Sequence, residues 1–371
     1  MHYLFGFAAV CALGLIPQLG CSSSAEGAGA PPCDSVCDDY SDCTQENCPC
    51  ADPTPVADGT PCAGGFCETG VCVLSGTVLP CTEQGIRNAI GQSTDVAYTF
   101  DCDGTETVVI RATVKIEEDT VLDGEANLRV DGDDQHIVFW VSPGVTAELR
   151  GFAVTRGEVG ILNEGKLTLT NTTVSGNAGG GIVSGSVGPD GEESGTLTLT
   201  NSTVSDNGAG GIANLFGLLT ATNSTVSGND GPGIRNARMA ALTSSTVSGN
   251  IKEGIVNVDG AAAITLTNSL IDDECGGGGI TSDGYNIESP GNTCGLEVVI
   301  DDDDDLRLGA LTDNGGSTQT HALEPGSLAI DRIPQEDCVD ADNESLTTDQ
   351  RGRPRPETGG SMCDVGSFEA Q

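Results

Sequence analysis

The sequence is poor in aromatic and basic side chains. Aromatic residues make up 4% of the 371, with a single Trp, and only 15 Lys and Arg stand against 55 Asp and Glu, a net charge of −40. A chain this acidic lacks the clustered cations that phosphate binding needs, which excludes nucleic acid as a partner. The same imbalance disfavours anionic membrane surfaces and polyanionic substrates, and fits a soluble face that attracts cations. Long apolar runs are missing too: the run at 4–16 falls short of the about 20 residues a bilayer span requires. Histidine is limited to His2, His136 and His321, so a His-based centre has few possible members.

What the chain has instead is glycine, cysteine and repetition. The run at 4–16 has the character of the apolar core of an export signal, although Met1-His2-Tyr3 carries no Lys or Arg. It ends in Gln18-Leu19-Gly20-Cys21, which resembles a bacterial lipobox with its Leu one place late. That resemblance implies a signal peptide over 1–20 and lipidation of Cys21. Residues 21–32 read as a flexible Ser/Gly/Ala/Pro tether. Residues 33–73 hold eight Cys and so few apolar side chains that the module needs covalent staples to fold. Setting aside Cys11 and Cys21 leaves 14 of the 16 Cys, an even set that in an exported chain reads as disulfides. Six of these fall in sequential couples: Cys81 with Cys102, Cys275 with Cys294, and Cys338 with Cys363. Pairing within each couple is the expectation.

The centre of the chain repeats. Leu169-Thr-Asn171-Thr-Thr-Val174-Ser-Gly-Asn177 recurs around Val204, Val226 and Val247, with a fading copy at Ile271 and an earlier one at Val154. A period near 22 residues is one coil of a solenoid, and the one long step is explained by an insertion at 185–194. Alternation of Leu167 and Leu169 with Thr168 and Thr170 gives strand. Asn171 then breaks the alternation, as expected at a sharp corner, because Asn tolerates the left-handed backbone region. The column Asn171, Asn201, Asn223 and Asn268 is expected to stack as a structural ladder. So are the columns beginning at Asn177 and Asn163. A Gly-Ile pair opens a further strand in each coil, at Ile182, Ile212, Ile234, Ile255 and Ile280. Three strands and three bends per coil are expected, over roughly ten coils.

These repeats resemble the right-handed parallel β-helix family, the architecture of pectate lyases and many bacterial surface proteins. The segment from Leu79 to Ile90 is similar to the Cys-Ser-Leu-Arg-Glu-Ala opening of such helices. The stretch from Leu308 to Asp331, with Arg351-Gly-Arg-Pro354 and Asp364-Val-Gly-Ser-Phe-Glu369, is similar to the choice-of-anchor (Q type) C-terminal domain. The resemblance implies an all-β, pectin-lyase-like solenoid over 74–300 and a C-terminal domain over 301–371 that closes it. With Gln371 as the last residue, Cys21 is the expected anchor.

A β-helix enzyme places carboxylates, Lys or Arg on the outward face of one sheet. Glycoside hydrolysis needs two carboxylates about 5 to 9.5 Å apart, and adjacent coils about 4.8 Å apart could supply them. The strand after each Gly-Ile offers Leu162, Val183, Ala213, Arg235, Val256 and Thr281 instead, so no catalytic residue is assigned. Arg235 and Arg238 are the best candidates for an elimination base or substrate clamp, but read as solvated or ion-paired. Trp140 reads as packing and His136 and His321 as structural. Thr173, Thr203, Thr225 and Thr246, with Ser175, Ser205, Ser227 and Ser248, are expected to form a flat exposed hydroxyl face. Asp301, Asp302, Asp303, Asp304 and Asp305, and separately Asp340, Asp342 and Glu344, are candidate Ca²⁺ ligands; no other cofactor is implied. The sequence therefore points to an exported, monomeric, lipid-anchored scaffold or adhesin at the outer membrane or cell surface. Its expected ligand is an unidentified surface molecule, with polysaccharide as the candidate class. The competing class is a lyase or hydrolase drawing acids from the insertion, at Asp190, Glu192 and Glu193.

Overall fold

The computed structural model describes residues 76–92, 96–187, 193–258, 260, 262–299 and 303–371, with short strands between 44 and 74. The signal, the tether and Cys21 lie outside the described residues. Of the cysteine-rich module, Pro61–Cys62, Gly65–Glu68 and Val71–Leu74 form a three-stranded antiparallel sheet.

The body is a parallel solenoid. A lateral sheet of eight parallel strands runs from Val114–Ile116 through Val159–Asn163 and Gly210–Asn214 to Cys275–Gly276, which sets about eight coils rather than ten. A second stack includes Lys166–Thr170, Thr196–Thr200, Leu218–Thr222, Met239–Thr243 and Ala263–Thr267. A third holds the short strands Thr173–Ser175, Thr203–Ser205, Thr225–Ser227 and Thr246–Ser248. Inward columns such as Leu169–Leu199–Ala221–Leu242–Leu266 are buried in one continuous apolar core. Period-2 alternation puts aliphatic side chains inside and Thr outside, so no coil buries its core without its neighbours.

Both ends are covered. At the start, Thr82 caps the helix α1 (Glu83–Ala89) by accepting from the Gly85 N–H, and Ile86 and Ala89 sink into the core. Arg87 pairs with Glu83 within α1 at 2.7 Å and ties the helix to the carbonyls of Ala112 and Thr113. At the other end the inward column Val247–Ile271 continues to Glu288, whose Oε1 accepts the backbone N–H groups of Thr293 and Cys294. A carboxylate thus takes an aliphatic position in order to satisfy the loop folded under the last coil. Disulfides Cys81–Cys102 and Cys275–Cys294 sit at these two ends, and Cys338–Cys363 lies in the C-terminal segment.

The C-terminal segment does not close the end of the solenoid. It lies along the third sheet. Leu306, Leu323, Ile333, Val365 and Phe368 form a small apolar cluster together with Leu270 and Ile287 of the last coils. The expected exposed Thr/Ser face is therefore largely covered: Thr203, Ser205, Thr225, Ser227, Thr246 and Ser248 are all buried. Gln350 donates to Thr203 and accepts from Thr225, while Thr225 and Thr246 bond Ser367. Only Thr173 and Ser175 remain half-exposed.

One strand assignment also changes. Ile280 pairs with Ile264 in the second sheet, and Cys275–Gly276 takes the expected fifth place in the lateral sheet. The disulfide cysteine replaces the Gly-Ile signal there, which is why the pattern misleads.

Candidate functional site

The corners carry the polar chemistry of the coils. Asn171, Asn201, Asn223 and Asn268 all have φ near +50°, as their turn requires, and Ser244 takes the same conformation in its coil. Their side chains do not form the expected ladder. The left-handed backbone turns them away from the coil: Asn223 donates to the Thr348 carbonyl and Asn268 to that of Asp337. The ladder at this corner is built one residue later. The N–H groups of Thr172, Ser202, Ser224 and Ser245 each donate to the hydroxyl one coil on, at Ser202, Ser224, Ser245 and Ser269.

The other two Asn columns do stack. Asn177 donates to Asn207, Asn207 to Asn229, and Asn229 to Asn250, each Nδ2 to Oδ1 at 2.8–2.9 Å. The chain ends where Asn250 donates to Oδ2 of Asp273 at 2.8 Å. Every amide dipole points its N–H end toward that carboxylate, as donors at a helix N-terminus would. The third column runs Asn214 to Asn236 to Asn257. Ser184 interrupts it by donating to the Gly195 carbonyl, and the buried Oδ1 of Asn214 lacks a partner.

Burial pushes the Asp273 carboxyl up to about 6 against its Asn250 hydrogen bonds. A raised folded-state value means that stability present below the ordinary Asp range is lost as pH rises through about 6. Asp273→Asn is therefore expected to gain on the order of 2 kcal/mol relative to wild type between pH 4.5 and 7.5. Thermal melts at the two pH values check this; parallel shifts for both proteins would refute it.

The most enzyme-like contact is Ser227 Oγ to His321 Nε2 at 2.8 Å, with His321 Nδ1 at 2.7 Å from the Gly309 carbonyl. Nδ1–H donates to that carbonyl, leaving Nε2 to accept from serine, the arrangement of a nucleophile and its base. Both side chains are buried beneath the C-terminal segment, however, and burial lowers the His321 pKa. The pair joins the segment to the solenoid with no room for a substrate. Sequence alone could not have brought together residues 94 positions apart.

A second buried network holds the segment itself. Asp349 pairs with Arg351 at 2.7 Å and Glu369 with Arg355 at 3.1 Å, and Asp364 lies beside them. Burial pushes Glu369 up to about 7 and raises Asp364.

The remaining sequence candidates are dispersed. Arg235 is exposed on the lateral sheet between Ala213 and Val256, while Arg238 lies over the Phe216 ring at 5.5 Å. Trp140 faces outward, half-buried, bonded to Glu164 with Lys115 over its ring. Asp190 and Glu192 lie outside the described residues, as does the side chain of Glu193. So do Asp301 and Asp302; Asp303–Leu306 is a short helix and Asp305 is exposed. The Asp340 carboxylate is used within its own turn, accepting from the N–H groups of Asp342 and Glu344. Among the described residues, only Cys81, Cys102 and Glu106 approach as metal ligands, and those sulfurs are bonded to each other.

Two surface grooves accompany these features. One, of about 340 Å³, lies beside the solvent-facing end of the third sheet, between Arg129, Thr173 and Ser175 and the 313–319 loop. The other, of about 680 Å³, gathers Asp283, Glu297, Glu336 and Asp337 around Tyr285 at the last coils.

Residues 151–294 match the family model described as "Right handed beta helix region". The fold is a right-handed parallel β-helix. Among solved structures, the pectate lyase Pel9A aligns with 76% of this chain and 89% of its own, at 12% identity and a TM-score of 0.42. At that identity the likeness bears on neither substrate nor mechanism. No match was found among curated proteins. The β-helix itself serves both lyases and surface proteins, so the choice rests on this chain's own side chains.

Proposed function

We propose that the protein is a non-enzymatic scaffold of the cell surface, exported, tethered through a lipid on Cys21, and binding an extracellular ligand along its β-helix. The observation that carries this reading is the content of the outward columns. The lateral sheet presents Leu162, Val183, Ala213, Arg235 and Val256. The second presents threonine in nearly every coil. The two acids at the start of the second sheet, Asp123 and Glu148, both face Arg150, the coils after them add no acid to these columns before Asp283, and the Ser227–His321 pair is sealed. Incubation with plant and bacterial polysaccharides is expected to yield no new reducing ends and no unsaturated products. Intact mass of the membrane-extracted protein is expected to show acylated Cys21; steady turnover of any polymer would refute the scaffold reading.

One observation favours the competing reading of an extracellular polysaccharide lyase or glycoside hydrolase. The groove around Tyr285 brings Asp283, Glu297, Glu336 and Asp337 together. Turnover abolished by Glu297→Gln or Asp337→Asn would establish that reading.

A further inference from the structure

The second sheet has three outward columns; the first is mixed, with Lys166, Thr196, Leu218, Met239 and Ala263, and over six coils the content of the other two is unusually uniform. The middle column reads Thr168, Thr198, Thr220, Ala241, Thr265 and Thr281, and the corner column Thr170, Thr200, Thr222, Thr243, Thr267 and Asp283. Ten of these twelve positions are Thr. In the middle column every residue is half-exposed or exposed. In the corner column Thr222 and Thr243 are buried, while Thr170, Thr200 and Thr267 stay half-exposed. Strand pairing spaces successive hydroxyls by about 4.8 Å along the solenoid axis and about 6.7 Å across it. Thr is stiff at χ1, so the array is held rigid.

From this we infer that the threonine face is the binding surface for an uncharged linear polysaccharide lying along the solenoid axis. The inference rests on the scaffold reading and names its ligand. Charge argues for it: the chain carries −40, yet no acidic side chain enters the block before Asp283, while Glu148 at its other border is neutralised by Arg150 at 2.7 Å. A polyanion is repelled by the rest of the surface, and a polycation is drawn to the acidic faces instead. The array has no aromatic platform, so its contacts are hydroxyl hydrogen bonds and methyl contacts, each hydrogen bond worth only about 0.5–1.5 kcal/mol. A small sugar gains too little from them. A polymer that repeats its hydroxyls along the axis engages many coils at once and binds through their sum.

The test is retention of the full-length protein on cellulose, chitin and amylose, with polygalacturonate as the anionic comparison, in low and high salt. Thr198→Glu with Thr220→Glu places solvated charges in the middle of the face. Ala213→Glu with Val256→Glu makes the same charge change on the lateral sheet, and melting curves confirm that both variants fold. The expected result is salt-insensitive retention on at least one neutral polymer, weakened at least tenfold by the threonine pair and unchanged by the lateral pair. Retention on none of the neutral polymers, or only on polygalacturonate, overturns the inference. So does an equal effect, or no effect, of both variants. Release of new reducing ends from a retained polymer would overturn the non-catalytic reading, while the two variants still decide which face binds.

Discussion

Asn229→Leu is expected to destabilise the solenoid by about 3 to 5 kcal/mol in urea denaturation, more than any other single polar substitution in the coils. Asn229 is fully buried. Its Oδ1 accepts both the N–H and the Nδ2 of Asn207, and its Nδ2 donates to Asn250 and to the carbonyls of Val204 and Ser227. Leu nearly matches its volume, so the loss is in satisfied polar groups rather than in packing. Each buried group left without a partner costs about 1 to 3 kcal/mol. The neighbouring coils cannot rearrange, because the backbone is fixed by parallel pairing on both sides. Asn171→Ser is the contrast. Ser244 already occupies that corner position in another coil with φ +45°, and the side-chain ladder there runs through Thr172 instead. A cost below about 1 kcal/mol is expected. Equal losses for the two variants would mean that the buried Asn chain is not what ties the coils together.

Arg355→Met is expected to loosen the C-terminal segment while leaving the coils folded. The Arg355 side chain is 1% exposed and bonds Glu369, Asn223 on the solenoid, and the Gly366 carbonyl. Its removal leaves the buried carboxylates of Asp349, Asp364 and Glu369 with Arg351 as their one remaining cation in the network. Breaking a buried pair by deleting one partner typically costs about 3 to 5 kcal/mol. The cost should depend on pH. Burial already pushes Glu369 up to about 7, and loss of the guanidinium pushes it further in the same direction. Stability tied to a raised carboxyl is present at low pH and lost as pH rises through that value. The variant should therefore be closer to wild type at pH 5 than at pH 8. Hydrogen exchange at Thr203–Ser205 and Thr225–Ser227 would report the uncovering, with protection factors, taken relative to the intrinsic exchange rate at each pH, expected to fall at pH 8 only in the variant. Unchanged protection at both strands would show that the apolar cluster around Leu270 and Phe368 holds the segment without this network.

The sequence by itself determined the solenoid. Its period, its inward Leu, Val and Ile columns and the left-handed Asn corners are local rules repeated coil after coil, and stacking in register is the one arrangement that buries all of them together. The strongly acidic charge balance was equally plain. What only the tertiary structure decided was which outward face meets solvent. The two hydroxyl faces, around Thr225 and around Thr220, are alike in composition, and nothing local distinguishes them. A segment 94 to 142 residues later covers the first, through Gln350, Ser367 and His321, and leaves the middle column of the second open. Long-range docking of this kind depends on shape and on the pairing of single polar groups. Neither is periodic, and so neither leaves a pattern in the sequence.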